Sequence, residues 1–271
     1  MKFAKKLCSL LMVIGLDFFI KMAKGDNSIM AWGTFGTAHI LSLIFAIALN
    51  VALYFLLKRC PQKIQIAVLG ILSFSGIAAI IYNLVAWDSP LEYLPFHLCS
   101  LNALILPFAV FTRNKIISNL TLLWSLGAAV ALLLNYSVAA AEILDPVFCF
   151  YFFPHVFEMS IPILLFKLGL CKLDAKCIAS TLGITAGAYT AIHFINVALN
   201  NYCIENNITT PAGEIVSVNY MYSITPDNPV LVLFHNLIPR AYWYMLPALA
   251  IAGLYLAAIY GITAVLKKKR N

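Results

Sequence analysis

Charged side chains are scarce in this sequence. Asp, Glu, Lys and Arg make up 11% of its 271 residues, where a soluble globular domain carries about a quarter. That shortage excludes an ordinary soluble domain. With 62% hydrophobic residues and a mean hydropathy of +0.90, the chain reads as an integral membrane protein. Its seven cysteines form no CxxC pair and no zinc-type spacing with the histidines, so no metal or other cofactor is called for. No internal repeat or low-complexity tract is present. The net charge of +7 does not point to nucleic acid, because the basic residues fall in the gaps between apolar runs.

Spanning helices need about 20 apolar residues. Suitable runs lie at about 38–57, 64–86, 95–111, 116–135, 147–169, 177–200 and 242–265. The gaps alternate in charge. Lys58, Arg59 and Lys63, then Arg113 and Lys115, then Lys167, Lys172 and Lys176, and finally Lys267 to Arg270 mark one side. Asp88 and Glu92, then Glu142 and Asp145, then Glu205, Glu214 and Asp227 mark the other. The positive-inside rule makes the first side, with the C-terminus, cytoplasmic. The expected fold is an all-α polytopic bundle of about seven transmembrane helices plus a short N-terminal apolar helix.

Residues 1–30 have a basic lead and an apolar stretch of about 14 residues interrupted by Asp17, short for a span. They read as a helix on the outer surface, with a shorter eighth span as the alternative. No small-residue cleavage site marks them as a signal peptide. Residues 31–271 form one transmembrane domain with an external loop at about 201–241. That loop is rich in Asn, Pro and Thr and is long enough to act as a lid.

On this topology His39, His97, His155, His193 and His235 all fall towards the outer side. Polar groups inside a membrane are costly and by default mark function. Asn102, Glu158, Asn196, Asn200, Asn219 and Tyr220 join the histidines there. His193, Asn196 and Asn200 share one helical stripe, which interhelical hydrogen bonding alone also explains.

Residues 94–102, LPFHLCSLN, put Pro95 in a first helical turn and Cys99 in the second, near the positive end of the helix dipole, where a thiol ionises more easily. His97 lies about 200° from Cys99 on a regular helix, so a base for Cys99 should come from another helix. Asp145-Pro146 reads as N-cap and first turn of the next candidate. Pro154 should kink that helix just before His155. Glu158, three residues further on, could orient the imidazole, giving a nucleophile, a base and a carboxylate. Glu158 paired with a cation such as Arg240, or protonated, is the plainer alternative.

At these residues the chain resembles YwaF-type bacterial integral membrane proteins. FGTAHI, LPFHLCSLN, FFPH, NYMYSITPDNP and WYMLP occur in that family's order across most of residues 30–260. The segment between Asn196 and residues 219–222 is longer than that pattern has, and Glu158 lies outside it. A related eukaryotic transmembrane family transfers acyl groups between phospholipids with a cysteine and a histidine. The resemblance therefore implies Cys99 as acyl-accepting thiolate, with His155 as base and His97 as second choice.

The expected function is a lipid acyltransferase at the outer leaflet, with membrane lipids as its partners. His39, Asn102, His193, Asn196, Asn219, Tyr220 and Arg240 are the candidate substrate-binding residues. Asn102, Asn219 or the first-turn amides would hold the oxyanion, and Arg240 would hold a lipid phosphate or anchor the chain at the interface. The alternative is a transporter of a small solute or ion with an outward His/Glu/Asn site. Against that reading, polar residues thin out on the cytoplasmic half. A metal site from His39, His97, His155 and Glu158 would need ligands from several helices.

Overall fold

The computed structural model describes residues 31–268, and side chains to residue 263. The expectation for residues 1–30 and the charges at Lys269 and Arg270 lie outside the described residues. Nine α-helices are described: α1 Thr37–Leu57, α2 Gln62–Ser73, α3 Ser75–Ala86, α4 Leu98–Thr112, α5 Lys115–Leu133, α6 Pro146–Lys167, α7 Ile178–Glu205, α8 Pro229–Leu237 and α9 Leu246–Lys268. With α2 and α3 taken as one broken span, six segments are long and apolar enough to cross a membrane, and α4 is a shorter apolar helix. The protein is an all-α polytopic membrane bundle.

Side chains capping free N–H groups set several starts. Asn114 accepts from Ile116 N and Ile117 N at the start of α5. Asp145 accepts from Val147 N at 2.7 Å, with Pro146 in the first position of α6. Asn228 does the same for α8, which begins at Pro229. Each cap replaces water at an amide that has no partner within its helix.

The core forms around α6, which packs against α2, α3, α4 and α5. Leu106, Ala109 and Val110 of α4 meet Ile161, Leu164 and Leu165 of α6 in one buried cluster. Helices α1, α7 and α9 sit at the edge with few buried residues. Two glycines set close approaches at the α2–α3 break. A Cβ on Gly70 would stand 2.5 Å from the Phe111 ring, and one on Gly76 would stand 2.5 Å from Ala103 Cβ.

Alternate connections gather at opposite ends. One end holds the α3–α4, α5–α6 and α7–α9 connections, where Tyr220 OH donates to Leu91 O and Trp32 N to Ala141 O at 2.8 Å. The other holds the Lys- and Arg-rich connections. Its acidic residue Asp174 is paired with Lys115, which holds the Asp174 carboxyl below its usual range.

Two lengths differ from the expected runs. Helix α7 with its preceding turn covers 31 residues, Ala175–Glu205, or about 46 Å. The connection to α9 therefore starts after Glu205 rather than at 201, and it contains α8. Helix α4 starts at Leu98, not near Pro95. Leu94 and His97 are extended, with ψ of 146° and 155°, Leu94 as a residue preceding proline prefers and His97 as an N-cap does.

Candidate functional site

The α4 start fixes the geometry around Cys99. His97 is the N-cap of α4, and the first bond into its helix runs from Leu101 N to His97 O at 3.0 Å. Pro95 is thus outside the helix, and Cys99 is in the first turn rather than the second. Its thiol lies against its own N–H and that of Ser100. Helix α4 has 15 residues, about 22 Å, against a hydrocarbon core of about 30 Å.

Helix α6 brings His155 and Glu158 to the same region. The helix runs unbroken through Pro154, whose missing N–H frees the backbone there. His155 Nδ1 lies 2.6 Å from Tyr151 O, one turn back. A carbonyl only accepts, so Nδ1 carries the proton and Nε2 is the basic nitrogen. Among the described residues no hydrogen bond engages that Nε2, and none joins the Cys99 thiol to His155. Tyr151 neighbours both groups. Its ring is 4.3 Å from that of His155, and its phenol is an electrostatic neighbour of Cys99.

Glu158 does not orient the imidazole, because the Tyr151 carbonyl has that role. The glutamate faces α3 and α4, with Asn102 as its polar neighbour and Oε1 against Gly76. It is 3% exposed, Asn102 is fully buried, and Glu158 Oε2 and both Asn102 amide atoms have no partner among the described residues. Glu158 pairs with no cation there, and Arg240 is exposed beside α8. Three orphaned polar atoms beside Cys99 are expensive in a membrane interior.

The α7 stripe clasps a loop. Asn196 donates to Tyr220 O at 2.8 Å and accepts from Tyr220 N at 3.0 Å. Asn200 does the same with Val218, at 3.0 and 2.7 Å. Residues four apart on a helix match residues two apart on an extended chain, so each amide replaces a strand partner. His193 adds Ser223 Oγ at 3.1 Å.

Asn219 serves the same loop, bonding Ile224, Thr225 and the Thr225 side chain. The clasp holds Met221 and Tyr222 at φ of 50° and 55°, a left-handed conformation that side chains seldom adopt. It sets Tyr220 and Tyr222 on His97, with ring centroids at 5.5 and 5.4 Å, and brings Met221 N to within 3.4 Å of His97 Nδ1. Burial pushes the Tyr220 phenol up to about 12 and raises that of Tyr222, so both stay neutral donors.

His39 stands apart. It is fully buried, with Phe35 N donating to Nδ1 at 2.9 Å and Nε2–H donating to Leu132 O at 2.8 Å. His235, in α8, packs on Tyr244. Among the described residues, no cluster of three His, Cys, Asp or Glu side chains is placed to hold a metal ion.

Cys99, Asn102, His155, Glu158 and His97 are therefore brought to one region at the acidic end. Tyr151, Tyr222 and Gly76 belong with them, and Ser223 belongs with the α7 clasp; none was singled out from the sequence. Only Tyr151, at i−4 from His155, had a spacing signal.

A multi-helix membrane protein with a buried polar site built at a helix start is the class these features define. Within that class, a family model for the TMEM164 family, a transmembrane protein family, matches residues 34–261. The chain belongs to the TMEM164 family. Comparisons with curated proteins and with solved structures give no match.

Proposed function

We propose that the protein is a lipid acyltransferase that works through an acyl-cysteine at Cys99. The observation that carries this reading is the placing of a thiol in the first turn of α4, beside its free amides, with an unengaged imidazole nitrogen on the facing helix. The motif resemblance to YwaF-type proteins, and through them to phospholipid acyltransferases, supports it. That resemblance also underlies the inference of a bacterial cell membrane, while the alternation of basic and acidic connections supports an external acidic end with its site and a cytoplasmic C-terminus.

In the first half-reaction His155 Nε2 takes the thiol proton. Cys99 Sγ forms a bond to the acyl carbonyl carbon of an ester lipid. The resulting oxyanion meets the N–H groups at the α4 start and the Asn102 amide, donors already fixed in a dry site. The carbon–oxygen ester bond then breaks, and the leaving alkoxide takes the proton from His155. In the second half, His155 takes the proton of an acceptor hydroxyl, whose oxygen attacks the thioester. The carbon–sulfur bond breaks, and the thiolate regains the proton. In this reading Tyr222 and His97 line the approach, and Arg240, which is exposed, holds a lipid phosphate.

The test is a covalent adduct. Purified protein is incubated with phospholipid carrying a labelled acyl chain, then denatured and treated with hydroxylamine. A hydroxylamine-labile label in the wild type, absent in Cys99→Ser, is the expected result. Folded wild type without label sinks the cysteine mechanism. The orphaned Glu158 and Asn102 atoms would then favour a small-solute or ion site, tested by flux in proteoliposomes.

A further inference from the structure

Helix α8, Pro229–Leu237, lies in the connection between α7 and α9. Its nine residues extend about 13 Å, less than half of what a span requires. Its sequence, PVLVLFHNL, holds no Asp, Glu, Lys or Arg. One face is buried, where Leu231 and Phe234 meet Tyr244, with Met245 and Ala248 packed around them. The other face is apolar too, and it is open. Val230, Leu233 and Leu237 recur at i, i+3 and i+7, which places them on one stripe. Leu233 is 57% and Leu237 66% exposed.

The partners of the buried face fix the height of α8. Ala248 is in the first turn of α9, which runs 23 residues from Leu246 to Lys268, about 34 Å. Lys267 and Lys268 mark its basic end, so a hydrocarbon core of about 30 Å reaches close to Leu246 at the other. Helix α8 therefore sits beside the point where α9 enters the bilayer. Its open stripe stands at the level of exposed Leu246 and Leu249 of α9. Between the two helices, Trp243 is half exposed and Arg240 is exposed, a pairing typical of a membrane–water boundary.

We infer that α8 lies in the membrane interface at the acidic end, with Val230, Leu233 and Leu237 sunk among the acyl chains of that leaflet. Water is a costly neighbour for an uncharged apolar stripe. A second copy would gain little from it, because three side chains fall far short of the roughly 1,200 Å² that a specific interface buries. An interfacial helix needs only one apolar face, set about 5–10 Å into the boundary. The contact also reaches the loop over His97. Tyr244, which α8 covers, donates its phenol to Tyr222 O, and the Tyr222 ring rests on that of His97. The leaflet thus braces this loop, whatever chemistry Cys99 performs.

The experiment places the full chain in phosphatidylcholine nanodiscs doped with one of two photoreactive diacyl lipids, and maps cross-links by peptide mass. One lipid carries its diazirine close to the glycerol, the other at the chain end. The shallow probe should label residues 230–237 together with the first turn of α9. The deep probe should label the middle of α9 and give about 5-fold less on residues 230–237, as a depth of about 5–10 Å requires. Replacing two exposed residues together, Leu233→Asp and Leu237→Asp, should cut shallow labelling of α8 about 10-fold while α9 keeps its label. The wild-type depth pattern decides the matter alone if that variant does not fold. A stripe facing water, a second copy or residues 1–30 would take no label from either probe. That result, or equal labelling of α8 by both probes, overturns the inference.

Discussion

At His155 the direction of one hydrogen bond decides a chemical role. The Tyr151 carbonyl can only accept, so it fixes the tautomer and leaves Nε2 basic. At His39 both ring nitrogens are spent on backbone groups. The two histidines should therefore separate in experiment. His155→Gln is expected to lower acyl transfer by about 10²–10⁴-fold, the usual worth of a general base, with little loss of folded protein. His39→Ala should cost about 1–3 kcal/mol through unpaired buried backbone groups, with activity per folded molecule kept. Turnover and thermal unfolding measured on the same preparations check both, and the reverse pattern would reverse the assignment.

At the scale of elements, the packing of α3 on α4 sets where Glu158 can stand. Gly76→Ala would bring its Cβ to within 2.9 Å of Glu158 Oε1 as well as 2.5 Å of Ala103 Cβ. Overpacking of this kind costs about 1–3 kcal/mol. Gly183→Ala on α7 has nothing within 4 Å and should be neutral or slightly stabilising. A comparison of the two melting temperatures checks this, and equal shifts would mean that α3 gives way. Spans were legible in the sequence because length and apolarity can be counted along a line. The α4 start was not, because Pro95 as a first-turn residue competed with His97 as an N-cap. Pairing of helices was harder still. A helix facing lipid is as apolar outside as inside, so the amphipathic signal that marks a buried face in water is lost. The approach of Gly76 and Tyr151 to the site depended on that pairing, while the Cys99 and His155 motifs did not.

Across the whole molecule, charge and helix order agree that alternate connections share an end, and this makes the inferred orientation testable. Glu214→Cys and Lys172→Cys, both at exposed positions, should react oppositely with an impermeant maleimide. In intact cells the first is expected to label and the second only after permeabilisation, and labelling of Lys172→Cys alone would invert the topology. The bundle also lacks a uniform height. Helix α4, with Phe108 and Phe111 more than half exposed, is about 22 Å long, whereas α7 with its preceding turn is about 46 Å. Bilayers meet such mismatch by thinning, tilting or rearranging at a modest cost per ångström. Met by thinning alone, the shortfall beside α4 is roughly 8 Å relative to an average hydrocarbon core, while α7 has none. The perimeter of one molecule thus presents two different heights to the bilayer, and thinner bilayers accommodate its α4 side at lower cost.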